Sequence, residues 1–197
     1  MIAFKGLTAD MVASMGSGDK VLKVGVTYRE ESSKTGRQGW HCTENPFDCL
    51  AYFPLEGGNR HFRVEAGGSI DEDEQNRISC TEITLLEELT VRKLAGYGMM
   101  YMVQHPMRQG WQQARHRVRV LENTVEAEGP GCIAIARGPR PEVKGSEGAV
   151  LGLILEPEPG WIAAAKLFTA DGQQAGKWWT IDEERNLIEV DDEEEIG

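Results

Sequence analysis

No apolar run in this chain is long enough to cross a bilayer. The longest, AVLGLIL at residues 149–155, has seven residues, where a spanning helix needs about 20. The opening MIAFKGLTAD has no basic stretch followed by a long apolar one, so no secretory leader and no membrane partner are expected. Cysteine is sparse, with four residues, Cys42, Cys49, Cys80 and Cys132. Without an export signal they are expected as reduced thiols in a cytoplasm.

Basic residues are also in short supply. The 21 Lys and Arg face 32 Asp and Glu, a net charge of −11. That balance does not favour binding to phosphate backbones, so nucleic acid is not an expected partner. The acidity is local. The last 17 residues, IDEERNLIEVDDEEEIG, carry −8 of it and leave the body at −3. The segment reads as a solvated end, and mimicry of DNA would rest on it alone.

Enzyme signatures are missing as well. There is no GxSxG elbow, Walker pattern, HExxH or dinucleotide fingerprint. Six residues separate Cys42 from Cys49, and no second close pair follows, so no metal site and no cofactor are expected. His41 and Cys42 are neighbours, and on a strand they point to opposite faces, which disfavours a thiolate–imidazolium pair.

What is present suffices for a packed core. Hydrophobic residues make up 40% and charged residues 27% of 197. The pattern predicts an α+β protein in two parts. The first is a mixed domain over 1–107 with a small split sheet and helices. The second is a β-rich region over 108–197, solenoid-like or a meander, with an acidic end. MIAFKGL, KVLKVGVTYRE and GWHC read as strands, and RHFRVEAGG as a strand closed by a Gly-Gly turn. DEDEQNR reads as an acidic loop or helix start. Asn45 is a favoured N-cap, Pro46 falls at N1 and Asp48 adds an acid. NPFDCLAYF is therefore expected as about two helical turns ending before Pro54. ISCTEITLLEEL alternates like a strand, while LLEELTVRKLAGYGMMYMV suits a helix, with Met99 and Met102 as core filler.

Further on, GCIAIAR and GAVLGLI are similar units 17 positions apart. Residues 157–197 read as three meandering strands, with turns at Asp171-Gly172 and near Arg185-Asn186. As one strand, QQARHRVRVLE would place Arg115, Arg117 and Arg119 on one face. That is a candidate surface for an anion or partner, with a plain solvated face as the simpler reading.

Two resemblances meet at GWHCTENPFDCLAYFP, residues 39–54. With FKGL, VGVTY, RVEAGGSI and ISCTEITLLEEL, it resembles a family of uncharacterised phage and bacterial proteins. Their N-terminal domain is followed by a repeat-like tract and a β cap, here CIAIARG, KGSEGAVLGLILEP and the closing residues. At fold level, the strand-to-helix segment resembles ADP-ribosyltransferases of the poly(ADP-ribose) polymerase type. That likeness implies a groove with Lys5 at the position of the first-strand His, His41 at that of the nicotinamide-stacking Tyr, and Tyr52 at the helix end. The usual catalytic set is then largely absent. The resulting expectation is a phage- or prophage-type protein that is not an enzyme. It would be a binding or structural accessory module acting on a host or phage protein, or through self-association. The alternative is an ADP-ribosyltransferase-like enzyme or nucleotide-binding protein using Lys5, His41 and Tyr52.

Overall fold

A computed structural model describes residues 1–14, 19–73 and 77–191. The chain forms two compact units, Met1–Thr90 and Val91–Gly197. The structure corrects the α+β expectation: 50% of the residues lie in strands and 12% are helical. Among the described residues there is one α-helix, Val91–Gln104, besides two short 3-10 turns.

The first unit contains β1 (Ile2–Leu7), β2 (Val12–Ala13), β3 (Lys20–Val21), β4 (Thr27–Arg29), β5 (Trp40–Thr43), β6 (Arg60–Glu72) and β7 (Arg77–Glu88). Strand β1 pairs with β5 and β6, β5 pairs with β7, and β6 pairs with β7, all antiparallel. Four strands thus close into a small barrel, with β4 added on β7. Closure removes free edges. It also replaces the small split sheet expected in the 1–107 domain.

The reason lies in β6 and β7. The Gly67-Gly68 pair does not end β6. The ladder shifts register between Gly67 and Ile70, with Gly68 at φ +69°, and the strand continues to Glu72. Such bulges bend a strand and tighten its twist, which lets a narrow sheet close. In β7, alternation prevails over helix propensity, and Ile78, Cys80, Ile83 and Leu85 are all buried in the barrel core. The acidic stretch DEDEQNR begins on β6, and its residues 74–76 lie outside the described residues.

The expected helix after Asn45 is instead a 3-10 turn, Pro46–Ala51. Its start is as anticipated, with the Asn45 side chain accepting from the Phe47 N–H at 3.1 Å. Such a cap contributes about 1 kcal/mol. Phe47 and Leu50 anchor the short piece in the core.

The second unit contains α1 (Val91–Gln104), β8 (Gln113–Ala114), β9 (Val118–Ala127), β10 (Ile133–Gly145), β11 (Val150–Leu155), β12 (Ala164–Thr169), β13 (Trp178–Ile181) and β14 (Leu187–Val190). Strands β9, β10 and β11 pair in parallel. Ile133 lies opposite Val118 on one side and Val150 on the other, steps of 15 and 17 residues. These steps are too short for helical crossovers. The register shift between Arg137 and Glu142 coincides with Asn123 at φ 60° on β9, so the strand changes course there. Asn accepts that left-handed conformation better than most residues. Helix α1 buries Leu94, Ala95, Met99 and Met102 and packs on β11. A Cβ on Gly152 of β11 would come within 2.6 Å of the Met99 sulfur.

The three-strand meander also needs correction. Strand β12 pairs with β11, and β13 pairs with β10, so the Asp171-Gly172 turn joins no hairpin. The second hairpin, β13 with β14, does form, with Arg185 at φ 66° in its turn. Residues 192–197 of the acidic end lie outside the described residues.

Candidate functional site

Lys5 comes from β1, His41 from β5, and Tyr52 caps the 3-10 turn. The fold brings all three to one cavity of about 30 Å³. One water needs at least about 10–15 Å³, whereas sites for drug-sized ligands run to about 300–1,000 Å³. This is water-sized space.

The polar groups around it are largely engaged within the unit. Lys5 Nζ donates to the His41 carbonyl oxygen at 2.6 Å. Burial lowers the Lys5 pKa, and the neighbouring Cys42, Cys49 and Cys80 oppose that shift. Burial likewise pushes the Cys49 thiol up to about 11. His41 Nε2 accepts the Gly36 N–H at 2.8 Å, so the neutral ring carries its proton on Nδ1, which is buried with no hydrogen-bond partner among the described residues. Burial lowers the His41 pKa, and the charges of Lys5 and Arg77 act in the same sense. Tyr52 stands half-exposed at the cavity beside Arg77, whose guanidinium pairs with Asp73 at 2.6 Å. The set braces β1, β5 and the turn against one another.

The arginines of QQARHRVRVLE do not share one strand face. Arg115 lies in the tight turn between β8 and β9, where its N–H and carbonyl bond Val118. Arg117 and Arg119 line a 260 Å³ hollow together with Glu126 and Glu128. Arg117 Nη2 donates to the Pro130 carbonyl oxygen at 2.8 Å, and Arg119 Nη1 to that of Glu126 at 3.4 Å. The nearby acids offset the positive field.

A larger feature was not singled out by sequence reasoning. A cleft of about 460 Å³ opens in the second unit, with Trp111, Arg137 and Glu156 among its lining residues. Arg137 is 2% exposed. Its Nε and Nη2 donate to Glu156 Oε2 and Oε1 at 2.6 and 2.8 Å, and Nη2 also reaches the Pro106 carbonyl oxygen at 2.5 Å. The guanidinium carbon lies 4.8 Å from the Trp111 ring centroid, a cation–π distance. Glu156 also accepts the Gly160 N–H at 2.7 Å. Burial raises the Glu156 carboxyl pKa. Arg137, through its hydrogen bonds and charge, and the Gly160 N–H together outweigh that and leave it below the usual value. The sequence held one signal: an Arg ending the apolar CIAIAR and a Glu ending the apolar LILE. Charged residues closing two apolar strands that lie side by side are candidates for a buried pair.

Residues 1–96 match a family model described as Domain of unknown function (DUF7666). No curated protein and no solved structure matches the chain.

Proposed function

We propose that this chain is a binding module and not an enzyme, with the cleft of the second unit as its working surface. The observation that carries this reading is the Arg137–Glu156 pair. A buried, forked ion pair stacked on Trp111 gives a 460 Å³ cleft a fixed wall. Fixed polar groups beside an aromatic ring, in a space of this size, are what a ligand site requires. In the first unit, Lys5 Nζ and His41 Nε2 are engaged around water-sized space, which suits a brace better than a reaction centre. The phage- or prophage-type setting rests on the resemblance of the FKGL and GWHCTENPFDCLAYFP segments.

The test is ligand-observed NMR on the purified chain with a panel of nucleotides, free amino acids, short proline-containing peptides, carboxylates and saccharides. Binding by any class that is lost in Trp111→Ala and weakened in Gln112→Ala supports the reading. Silence across the panel, or binding that both variants leave intact, overturns it.

A further inference from the structure

The walls of the cleft narrow the chemistry of the ligand it would take, a step that rests on the binding role proposed for it. Two cations, Arg108 and Arg137, stand among its lining residues against two carboxylates, Glu122 and Glu156. The formal charges cancel, and Arg137 is already matched by Glu156 at 2.6 Å. A balanced wall of this kind does not draw in an anion or a cation. A phosphate or a carboxylate would also meet Glu122 and Glu156 at close quarters.

The remaining polar groups are of mixed type. Gln109 and Gln112 are exposed amides that both donate and accept. The Glu122 carboxylate is an exposed acceptor. Arg137 Nη1 is a buried N–H group with no partner among the described residues. Such an orphan costs free energy until something accepts from it. Flat apolar surface comes from the half-buried Trp111 ring and from the proline rings at the rim.

A ligand that fits carries donors and acceptors on the same atoms, presents a C–H face to an aromatic ring, and has no net charge. Saccharides have that combination. Their hydroxyls both donate to carboxylates and accept from amides, and their ring faces lie flat on indole. The volume of about 460 Å³ falls in the range for small-ligand sites. We propose that the cleft lined by Trp111, Gln109, Gln112 and Glu122 binds a neutral saccharide, with Arg137 held by Glu156 as its fixed wall.

The experiment is a titration of the full ¹⁵N-labelled chain, following the Trp111 indole N–H signal, assigned with Trp111→Phe. The probes are glucose, galactose, N-acetylglucosamine, maltose, cellobiose and diacetylchitobiose. Inorganic phosphate, a nucleotide and a proline-containing peptide run in parallel. The expected result is a saturable shift with at least one saccharide, at a Kd on the order of 1 mM, weakened about tenfold in Gln112→Ala. Gln112 is exposed, so that variant keeps the fold and the outcome interpretable. If no saccharide shifts the signal while another probe does, the cleft binds but the saccharide inference fails. If no probe shifts it, the inference and the binding reading fail together.

Discussion

Arg137 and Glu156 sit at the ends of neighbouring apolar segments and meet in a two-pronged ion pair, at 2.6 and 2.8 Å. Parallel pairing of β10 with β11 sets Arg137 opposite Ile154 and Gly138 opposite Leu155, one residue before Glu156. The register of the sheet therefore makes the pair. With side-chain exposures of 2% and 11%, neither charge has much water to fall back on.

Breaking this pair from one side is expected to cost far more than removing it whole. Glu156→Ala leaves a buried guanidinium uncompensated, a loss of about 3–5 kcal/mol, whereas replacing both partners by apolar groups is often near neutral. Urea unfolding of Glu156→Ala and of the double variant Arg137→Met, Glu156→Leu measures the contrast. A Glu156→Ala cost below about 1 kcal/mol, the range of exposed pairs, would contradict the burial argument. The pH sign is fixed too. The folded Glu156 pKa lies below its ordinary value of 4.5, so its contribution is present above that value and is lost as pH falls through the folded one.

His41 is expected to titrate below 6.5, because burial and the charges of Lys5 and Arg77 disfavour the imidazolium. Protonation at Nε2 ends the bond from the Gly36 N–H. The contribution of the neutral ring is full above 6.5 and is lost as pH falls through the folded pKa. Ring nitrogen NMR against pH reads the midpoint, and the Gly36 amide shift should follow the same curve. A midpoint at or above 6.5 would refute the assignment.

Asp71, on β6, gives an acid-side test of the loop that carries Gly36. It accepts from the Thr35 N–H at 2.7 Å, the Thr35 hydroxyl at 2.8 Å and Lys34 Nζ at 3.0 Å. These bonds, led by the Thr35 N–H, lower its pKa from 3.8 to about 2. Its contribution is present above 3.8 and disappears as pH falls through about 2. Carboxyl carbon NMR should place the midpoint well below 3.8. Asp71→Asn, which keeps the shape but removes the charge, should speed hydrogen exchange at Thr35 while leaving the barrel core protected.

Local signals in the sequence carried through to the structure, and long-range ones did not. Asn45 and Pro46 announced their cap because a cap is settled within four residues. The same residues could not reveal that the turn would be 3-10, because that depends on Phe47 and Leu50 being held in the core. Gly67 and Gly68 looked like the end of a strand. They serve as a bulge because β7 lies alongside and pairs past them, a contact no local window contains. The union of Lys5, His41 and Tyr52 follows from β1 pairing with β5, whereas the scattering of Arg115 from Arg117 and Arg119 follows from a two-residue β8 turning back on β9. Arg137 and Glu156, 19 positions apart, become partners through parallel register alone.

Gly39 and Gly25 separate backbone strain from crowding. Both have positive φ, +84° and +79°. An added Cβ at Gly25 has nothing within 4 Å among the described residues, while at Gly39 it would lie 2.6 Å from Ser79 Oγ, 2.9 Å from the Cys80 carbonyl oxygen and 3.1 Å from Ser33 Cα. Gly25→Ala should therefore cost only the left-handed strain, about 1–2 kcal/mol. Gly39→Ala adds a clash with the backbone of β7 and with Ser33, neither of which can swing aside as a side chain does. Overpacking of this kind adds about 1–3 kcal/mol. The larger loss at Gly39 should come with faster hydrogen exchange at Trp40 and His41, since β5 must shift to relieve the contact. Denaturant midpoints of the two variants decide the matter. Equal losses would mean that strain alone fixes glycine at 39, and that the approach of Gly39 to β7 carries no constraint of its own.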